Sequence, residues 1–396
     1  MEIEFKDTET AFGHLSDREL LRKRILFRLM SISWLVALGT ALASAALRLG
    51  LPVIGLIKST VFSQFCGGEM LEECLVTAKS LGQRGVGAIL DYAPEAKADE
   101  EEFEATKSEI LRGIEIGAQS PNVPFAVFKI SGVIESSLLE AKGGQSSSIL
   151  SAEEEGAFER GLQRVNAICS AAEQHGQPVF IDAEEVAQQS TIDSIAESMM
   201  KKYNKNSVVV FHTVQMYRKD RLKYLESSFR SVVDAGAKYG VKVVRGAYME
   251  KERGLAAALG VPSPIHETKG DTDADFDRAV IFCLKHLENL ELIAGTHNEE
   301  STKRLIAIMK GSGVSPKDKR VWFSQLFGMS DNITNTLANA GFNVAKYLPY
   351  GPVKDAVPYL ARRAQENTAV LGQVSREYEM ISREIRRRKY EKRRNH

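Results

Sequence analysis

Residues 178–212 have the sequence PVFIDAEEVAQQSTIDSIAESMMKKYNKNSVVVFH, in which two short apolar runs enclose a longer helical pattern. Pro178–Asp182 and Ser207–His212 are rich in Val, Ile and Phe, which favours buried strands. Residues 190–203 repeat apolar side chains at helical spacing. A strand, a helix and a second strand in this order predict a βαβ unit whose strands are parallel.

The same alternation extends in both directions from this unit. Strands are predicted at Val86–Asp91, Phe125–Ile130, Pro178–Asp182, Ser207–His212, Val241–Arg245, Glu291–Thr296, Arg320–Gln325 and Asn343–Tyr347. Helices are predicted at 100–118, 152–175, 190–203, 220–239, 273–289, 298–310, 331–340 and 354–371. Eight repeats of this kind predict an α/β fold of the (β/α)₈ barrel type. An open doubly wound sheet is disfavoured because no glycine-rich phosphate turn follows the first strand.

The segments outside the barrel are predicted to be helical. Ser16-Asp17-Arg18-Glu19 is typical of a helix cap and predicts a helix that ends near Leu29. Further helices are expected at 31–50 and 69–82, and a charged helix from Ser375 to Arg394. We therefore expect an N-terminal helical segment at 1–85, a barrel at 86–375 and a basic C-terminal helix or tail at 376–396. Gly143–Ser148 is expected to be a flexible loop without an inserted domain.

Composition excludes few classes of protein. The chain has 396 residues, 43% of them apolar, with 52 basic and 52 acidic side chains, so overall charge points to no particular partner. Its four cysteines are widely scattered and have neither CxxC nor zinc-site spacing. This pattern fits buried single thiols in a reducing compartment, and we predict no structural metal.

Two segments raise the question of membrane contact. Leu29–Leu47 has no charged residue, but it is rich in Ala, Ser, Gly and Thr, which favours a buried or docking helix over membrane contact or a span. Arg383–His396 is basic and is either a solvated helix end or a binder of anionic lipid or nucleic acid. The acidic first residues predict neither a secretory leader nor a transit peptide.

Functional side chains follow every predicted strand. In a (β/α)₈ barrel the active site lies at the carboxyl ends of the strands, so these residues are expected to converge. They are Asp91, Lys129, Asp182, Gln215, Arg245, His297, Gln325 and Tyr347. One polar residue after a strand is ordinary, whereas eight in register favour an active site.

Three of the motifs suggest specific chemistry. Lys129 could pair with Asp182, bind an anion or form a Schiff base. Lys242 and Arg245 bracket a strand end at which Gly246 permits close approach of a ligand, and this suits a phosphate-bearing or electron-rich cofactor. In the helix Tyr359–Glu366, two arginines share a face with Tyr359 and Glu366 and could bind a carboxylate. A surface Arg–Glu pair is the alternative for that helix.

These motifs together resemble the proline dehydrogenase family, in its monofunctional, mitochondrial-type branch. The resemblance covers residues 5–375 and rests on these stretches: Asp182-Ala-Glu-Glu, Val244-Arg-Gly-Ala-Tyr248, Gly295-Thr-His-Asn298, Phe323-Ser-Gln-Leu-Phe-Gly-Met329, Tyr347-Leu-Pro-Tyr-Gly-Pro352 and Tyr359-Leu-Ala-Arg-Arg-Ala-Gln-Glu-Asn367. It implies a distorted barrel that binds FAD at its C-terminal face. It also implies oxidation of L-proline to Δ¹-pyrroline-5-carboxylate, with electrons passed to a membrane quinone, ubiquinone or menaquinone.

The resemblance also implies roles for individual residues. Arg362, Arg363 and Lys129 would bind the substrate carboxylate, Tyr347 and Tyr359 would contact its ring, and Asp182 would support this region. Glu366 would orient the arginines, and Glu95 would partner an arginine as a gate. The residues implied to contact FAD are Gln215, Lys242, Val244, Arg245, Gly246, Ala247, Lys269, Thr272, His297 and Glu366. Met249 stands where some members have an aromatic residue against the adenine, so the packing of the adenine is expected to differ. Phe276 stands where many members have Tyr.

Alternatives remain at this stage. Hydroxyproline-oxidising relatives are similar but have Ser where this chain has Tyr347, so we expect a preference for proline over hydroxyproline. A Schiff-base aldolase that uses Lys129 and a non-enzymatic membrane-docking scaffold are the alternatives from other classes. The expected location is the cytoplasm, with peripheral contact to the inner membrane, or the matrix side of that membrane in a eukaryote. No nucleic-acid partner is expected.

Overall fold

Eight parallel strands form a closed barrel, as the sequence predicts. The computed structural model describes residues 3–49, 52–94, 99–143, 150–369 and 373–394. The strands are β1 Gly87–Tyr92, β2 Phe125–Phe128, β3 Val179–Ile181, β4 Val210–Gln215, β5 Tyr239–Val244, β6 Leu290–Gly295, β7 Val321–Leu326 and β8 Val344–Tyr350. Each strand pairs with the next along the chain, and β8 pairs with β1. This order is that of a (β/α)₈ barrel.

Helices surround the barrel and precede and follow it. Those before β1 are α1 Thr8–Phe12, α2 Asp17–Met30, α3 Ser33–Arg48, α4 Ile54–Ile57, α5 Ser63–Phe65 and α6 Leu71–Gly82, with a π-helical turn at Lys58–Phe62. Those between the strands are α7 Glu100–Ala118, α8 Ser136–Gly143, α9 Ala152–His175, α10 Val186–Tyr203, α11 Arg221–Asp234, α12 Met249–Leu259, α13 Lys269–Lys285, α14 Glu299–Gly311 and α15 Asp331–Asn339. Two more, α16 Val353–Ala369 and α17 Gln373–Arg394, follow β8.

All predicted strands and barrel helices are present, with some boundaries displaced. The predicted helix 220–239 ends early because Gly236, at φ 71°, begins the turn into β5. The last strand continues past Tyr347 to Tyr350, although Pro349 lies within it. Pairing of β8 with β7 ends at Tyr347, while pairing with β1 continues. A proline is tolerated where a strand has a neighbour on one side only.

Several short helices escaped prediction, and part of one predicted loop lies outside the described residues. The unpredicted helices are α1, α4, α5, α8 and α12. They have three to eleven residues, too few turns for a clear apolar period. The capping box predicted at Ser16 is present, since its hydroxyl accepts from the Glu19 backbone N–H. The loop predicted at Gly143–Ser148 begins at the last residue of α8, and residues 144–149 are outside the described ranges.

The barrel interior is apolar at its base and polar at its top. Phe125, Phe180 and Phe211 pack against one another near the amino ends of β2, β3 and β4, with ring centroids 4.9 to 5.7 Å apart. Because side chains alternate along a strand, the next inward positions after Phe180 and Phe211 carry polar groups, whereas Val127 follows Phe125 on β2. These polar groups are Asp182 and Thr213. The aromatic floor closes the barrel below and leaves the polar groups facing its C-terminal opening.

The flanking helices hold α16 over that opening. Tyr359 and Leu360 of α16 belong to an apolar cluster with Phe62 and Phe65, and Leu26 and Val36 of α2 and α3 pack against this cluster. The N-terminal helices are thus the support on which α16 lies. Removing their packing would leave α16 without an apolar partner on this side.

The basic C-terminal helix is docked rather than solvated over most of its length. Met380 and Ile381 of α17 pack against Phe12 and Phe27. Arg388 donates to the Leu15 carbonyl at 2.8 Å and to Asp17 at 3.0 Å. The interpretation of this segment as a solvated end therefore holds only for residues 389–394, which are exposed.

The uncharged run Leu29–Leu47 is divided between two helices, because α2 ends at Met30 and α3 begins at Ser33. Leu29, Trp34, Leu38 and Leu42 are all exposed, so of the two forms predicted for this run, a buried or a docking helix, full burial does not apply to this face. Among the described residues, no single helix has the length and apolarity to cross a membrane. Asp17–Met30 and Trp34–Leu42 meet the criterion only when taken together, and they are bent by 98°.

Candidate active site

A cavity of about 620 Å³ opens at the carboxyl ends of the strands, and most of the predicted site residues line it. The predicted residues that line it are Asp91, Lys129, Asp182, Gln215, Lys242, Val244, Arg245, Gly246, Ala247, Lys269, His297, Gln325, Tyr347, Tyr359, Arg362 and Arg363. Thr272 is buried in the first turn of α13, outside this lining. Glu366 falls within α16, and Glu95 lies outside the described residues.

Asp182 is the hub of the cavity floor. One carboxylate oxygen accepts from Lys242 Nζ at 2.5 Å and from the Thr213 hydroxyl at 2.9 Å. The other accepts from the Tyr347 hydroxyl at 2.7 Å. Three strands are therefore tied to the residue that follows β3, so the positions of the ammonium and the phenol are set before any ligand enters.

This hub keeps Asp182 ionised and Tyr347 neutral. Burial alone would raise the pKa of Asp182, but the charges of Lys242 and Lys129 and the bonds from Lys242 and Tyr347 lower it to about 2. Burial, together with the Asp182 charge, raises the pKa of Tyr347 well above its usual value. The phenol consequently stays protonated and remains a hydrogen-bond donor over the physiological range.

Lys129 contacts a different carboxylate from the one expected. Its Nζ lies 3.9 Å from Asp91 Oδ1, whereas Asp182 accepts hydrogen bonds from Lys242, Thr213 and Tyr347. The Lys129 charge still acts on Asp182, whose pKa it lowers. The sequence indicated that Lys129 has an acidic neighbour, but two predicted strands end in an acidic residue, at Asp91 and at Asp182.

Arg245 is held by three side chains at the end of β5. It donates to Asp273 at 2.6 Å, to the Thr296 hydroxyl at 2.6 Å and to the Ser301 hydroxyl at 2.9 Å. Its guanidinium stacks on Phe276, 4.3 Å from the ring centroid. These contacts fix a permanent positive charge in the cavity wall.

The backbone beside Arg245 requires glycine. Gly246 has φ 133°, and a Cβ there would lie 2.4 Å from the Tyr217 ring. The next amide, of Ala247, points toward the Gln215 side-chain oxygen at 3.4 Å, while the Gln215 amide nitrogen donates to the Glu184 carbonyl at 2.8 Å. The main chain therefore forms this part of the cavity wall. A ligand that contacts backbone amides requires such a surface without side chains.

His297 is a neutral ring in the wall above β6. Burial, together with the nearby charges of Lys346, Arg363 and Arg245, lowers its pKa to about 3. Its Nδ1 lies 2.8 Å from the Ser330 hydroxyl, and the Leu326 N–H points at Nε2 from 3.5 Å. The ring is therefore uncharged at neutral pH and oriented by the β7–α15 loop.

Helix α16 contributes two further cations. Arg362 lies over the Tyr248 ring at 5.7 Å, and Arg363 lies over the Tyr359 ring at 5.1 Å. Both arginines line the cavity, and Arg363 and Tyr359 are each only 5% exposed. The prediction that this helix turns its arginines toward the barrel opening, rather than into solvent, is consistent with these positions.

The sequence did not reveal several other residues that line the cavity. Thr213 and Tyr248 lie just beyond the predicted strands Ser207–His212 and Val241–Arg245, and two-residue periodicity from Gln215 could have found Thr213. Arg376, Glu377 and Met380 come from α17, which we expected to lie outside the barrel. Nothing local in the sequence of α17 marks these residues, since only the tertiary docking of the helix brings them to the cavity.

Comparison with known proteins identifies the family. The proline dehydrogenase family profile matches residues 74–376. The chain belongs to the proline dehydrogenase family. Membership in this family supports an oxidoreductase that acts on proline, and it agrees with the resemblance drawn from the motifs.

Relatives of this proline dehydrogenase family member differ in their described roles. Proline dehydrogenase 1, mitochondrial, from Arabidopsis thaliana is 29% identical over 98% of this chain and 86% of its own length. Carbapenem antibiotics biosynthesis protein CarD from Pectobacterium carotovorum subsp. carotovorum is 36% identical over 84% of this chain and 86% of its own. Hydroxyproline dehydrogenase from Xenopus laevis is 30% identical over 96% of this chain and 89% of its own length.

Solved structures confirm the fold of the barrel. Proline utilization A from Bdellovibrio bacteriovorus superposes with a TM-score of 0.71 at 17% identity, over 89% of this chain and 37% of that protein. A variant of proline utilization A from Bradyrhizobium japonicum superposes with a TM-score of 0.66 at 19% identity, over 80% of this chain and 32% of that protein. The chain thus spans about a third of these longer proteins.

Proposed function

We propose that the protein binds FAD in the cavity and oxidises L-proline to Δ¹-pyrroline-5-carboxylate, with electrons passed to ubiquinone or menaquinone in a membrane. In this reaction a hydride leaves ring carbon C5 and a proton leaves the nitrogen, which forms the C=N bond. Bound FAD supplies the two-electron acceptor. Family membership supports the reaction, and the cavity supports the cofactor.

The observation that carries the proposal is the set of fixed cations around one cavity. Arg362 and Arg363 line it from α16, and Lys129 lines it from β2, next to the Tyr347 and Tyr359 rings. Guanidinium groups bind a carboxylate in a two-point geometry. Two aromatic rings beside such a clamp form walls for a small apolar ring. A cyclic amino acid has both parts.

The residues on the other side of the cavity fit FAD. Donors from Gln215, Lys242, Arg245 and Lys269 suit a cofactor with a pyrophosphate and an electron-rich ring edge. The bare backbone at Gly246 admits a ligand against main-chain amides. Arg245 keeps its charge when a ligand binds, so it would stabilise negative charge on the reduced flavin ring. Neutral His297 adds a polar contact without a second charge.

The chain's own residues would orient the substrate and exclude water. The arginines and Lys129 hold the carboxylate, and Asp182 keeps the Tyr347 hydroxyl turned away from the substrate ring. Helix α16 covers the opening, which removes solvent from around the reacting carbon. Together these contacts supply the fixed approach geometry that hydride transfer needs.

An absorbance spectrum of the purified protein, before and after anaerobic addition of L-proline, tests the proposal. We expect flavin bands that bleach with proline. Flavin bands that persist after addition of proline would support the proposed cofactor but would indicate that the substrate is hydroxyproline or another amine. A colourless protein that does not take up FAD would contradict the proposal, and borohydride trapping of a Lys129 adduct would then support the Schiff-base alternative.

Substrate choice depends on Tyr347, and hydroxyproline is the second candidate substrate. The Tyr347 hydroxyl donates to Asp182 and its ring lines the cavity, so it occupies space that a 4-hydroxyl group would need. Replacing Tyr347 with Ser is expected to lower kcat/KM for proline about tenfold and to raise the hydroxyproline-to-proline ratio of kcat/KM at least tenfold.

Tyr347→Phe is the matched control for this change, because it keeps the ring and removes only the bond to Asp182. We expect Tyr347→Phe to leave hydroxyproline excluded. The measurement is steady-state kinetics with both substrates. Comparable kcat/KM values for proline and hydroxyproline in the wild-type protein would contradict the proposed preference.

An exposed apolar face on α2 and α3 is the proposed membrane contact. Leu21, Ile25 and Leu29 are 45 to 52% exposed, and Trp34, Leu38 and Leu42 are 48 to 68% exposed. Each set repeats every four residues and so forms one stripe. Arg18 and Arg28 are exposed on α2. A stripe of this kind, with Trp and nearby Arg, is typical of helices that lie in a lipid interface.

The position of this face suits electron transfer to a membrane quinone. The opposite sides of α2 and α3, at Leu26 and Val36, pack on the cluster that contains Tyr359 and Leu360 of α16. The helix over the cavity thus lies directly on the proposed membrane-contacting helices. We propose a peripheral location on the cytoplasmic side of an inner membrane, or on the matrix side in a eukaryote.

Replacing both Leu38 and Leu42 with Glu is expected to weaken binding to anionic vesicles at least thirtyfold, because two apolar side chains would no longer be buried in lipid. Turnover with a soluble electron acceptor should be unchanged, while turnover with vesicle-bound quinone should fall. Co-sedimentation with phosphatidylglycerol vesicles measures the first effect.

Leu255→Glu combined with Leu259→Glu is the matched control, since both residues are exposed on α12, far from α3 in the chain. Deletion of residues 389–394 tests the basic C-terminal end as the other candidate. Vesicle binding that persists in the α3 variant and is lost in the truncation would assign membrane contact to the tail.

A further inference from the structure

The C-terminal helix enters the wall of the cavity. Arg376, Glu377 and Met380 of α17 line the same cavity as His297. Farther along, α17 is fixed by its packing on α1 and α2, where Ile381 is fully buried beside Phe27. The helix is therefore anchored outside the barrel and presents its first turns to the site.

Glu377 holds a residue in an unusual backbone conformation. Ser330, which precedes α15, has φ 53° and ψ 43°, and within the described ranges it is the only residue other than glycine with a positive φ. L-residues seldom adopt this conformation without a contact that enforces it. The Ser330 N–H donates to Glu377 Oε1 at 2.5 Å, and Glu377 is 6% exposed.

The rest of the β7–α15 loop is held by separate contacts. Lys346 donates to the Met329 carbonyl and to the Leu326 carbonyl at 3.3 Å, and it pairs with Asp331 at 3.0 Å. Gln64 donates to the Gly328 carbonyl at 2.7 Å. Since these contacts do not involve α17, the loop keeps anchors on both sides of Ser330 when Glu377 is changed.

Ser330 in turn contacts His297. Its hydroxyl lies 2.8 Å from His297 Nδ1, and the Leu326 N–H points at Nε2. A neutral imidazole carries one proton, so a ring that accepts at Nε2 donates from Nδ1 to the Ser330 oxygen. The Leu326 N–H thereby selects the tautomer, and the position of the Ser330 hydroxyl sets the plane of the ring that faces the cavity.

We propose that Glu377 is a positioning residue that orients His297 through Ser330, and that α17 is by this route part of the active site. The inference rests on the proposed function in that His297 is taken to contact the flavin. Glu377 acts through two intervening groups and is not a catalytic residue.

The surroundings of Glu377 allow a neutral side chain to replace it. Burial and the Asp331 charge raise the pKa of Glu377, whereas the hydrogen bond from the Ser330 N–H and the charges of Lys346 and Lys23 lower it. The resulting pKa is about 7. The carboxylate is thus only weakly favoured at neutral pH. The hydrogen bond from Ser330 needs an acceptor oxygen, which glutamine also provides.

The direct test is the ¹⁵N spectrum of histidine-labelled apoprotein, in which His297 is assigned by its loss in His297→Asn. We expect Glu377→Ala to move the His297 ring signals and Glu377→Gln to restore them. Ser330→Ala keeps the backbone donor and removes the hydroxyl, so it should move the same signals. Glu379→Ala, an exposed change on the same helix, is the matched control and should move none.

Flavin affinity and kinetics give the second test. Glu377→Ala is expected to weaken FAD binding about tenfold, the size expected from loss of one hydrogen bond to a charged group, and to lower kcat more than it raises KM. Glu377→Gln should remain within about threefold of wild type. If Glu377→Ala does not fold, Ser330→Ala must show the same loss of affinity for the proposal to stand.

The outcomes separate this inference from the proposed function. A melting temperature that falls in Glu377→Ala while His297 signals and FAD affinity stay at wild-type values would overturn the inference and leave a structural role only. A wild-type protein that binds no FAD would contradict the proposed function, yet coupled movement of the His297 signals would still establish the Glu377–Ser330–His297 connection.

Discussion

Replacing Arg363 with methionine is expected to lower kcat/KM for L-proline by a factor of about 10³. The guanidinium lines the cavity, is almost fully buried and lies over the Tyr359 ring at 5.1 Å. Loss of one buried partner of a carboxylate costs about 2–5 kcal/mol, because the substrate charge is then left without its counter-charge. Most of the loss should fall on KM if the contact is equal in the ground and transition states.

Methionine is the appropriate replacement because it keeps the length and apolar packing of the arginine stem. Lys354→Met is the matched control, since Lys354 is an exposed cation on the same helix. Steady-state kinetics and a thermal melt of both variants separate binding from folding. If Arg363→Met and Lys354→Met have the same kcat/KM, Arg363 does not bind the carboxylate.

Arg362 provides an internal comparison. It is less buried than Arg363 and lies over Tyr248, which belongs to the loop after β5 rather than to α16. Its contact therefore joins α16 to the side of the cavity where we propose FAD. Arg362 and Arg363 are neighbours in the chain, but their side chains have different surroundings. To bind one carboxylate, both guanidinium groups need to converge on it only when the substrate is present.

The fold was predictable because a βαβ repeat leaves a strong mark on sequence. Each strand is short and apolar, and each helix repeats its apolar side chains over three turns or more. The register of functional residues followed from the same rule, since strand ends in a barrel meet at one face. Lys129, Asp182, Gln215 and Arg245 all lie there, as expected.

The pairings within the site could not be predicted in the same way. Choosing between Asp91 and Asp182 as the partner of Lys129 depends on distances between strands, and periodicity along one strand does not contain them. Lys242 pairs with Asp182 at 2.5 Å because β3 and β5 are separated only by β4 and both side chains point into the barrel. Such contacts link residues sixty positions apart.

The contribution of α17 was hidden for a second physical reason. Its strongly charged composition is typical of an exposed helix, and Arg387 and Arg388 indeed contact acidic groups. Both also bind Glu384, which is fully buried. A buried carboxylate that is satisfied by two arginines on its own helix cannot be distinguished in sequence from an ordinary surface pair.

Replacing Asp182 with asparagine is expected to reduce both activity and stability, with a characteristic pH dependence. The pKa of Asp182 is lowered from 3.8 to about 2 by Lys242, Lys129 and Tyr347 acting against burial. That difference corresponds to roughly 2 kcal/mol of unfolding free energy at neutral pH. Because the folded pKa is the lower one, this stabilisation is fully present above about pH 4 and is lost as pH falls toward 2.

Activity should fall more than stability explains, because the Asp182 carboxylate also fixes Lys242 and the Tyr347 hydroxyl. We expect kcat/KM for proline to fall by a factor of about 10² in Asp182→Asn, and Asp182→Ala to be less stable still, since it leaves the Lys242 charge buried without a partner.

Asp193→Asn is the matched control for the Asp182 change. Asp193 is a buried acid whose pKa is also about 2, but its partners are His212, Arg221 and Gln189, and it is not among the residues that line the cavity. We expect Asp193→Asn to lower the unfolding free energy by a similar amount and to leave kcat/KM of the folded enzyme unchanged. Urea unfolding between pH 7 and pH 2.5 and steady-state kinetics measure the two effects. If both variants lose stability and neither loses activity, Asp182 supports the barrel rather than the site.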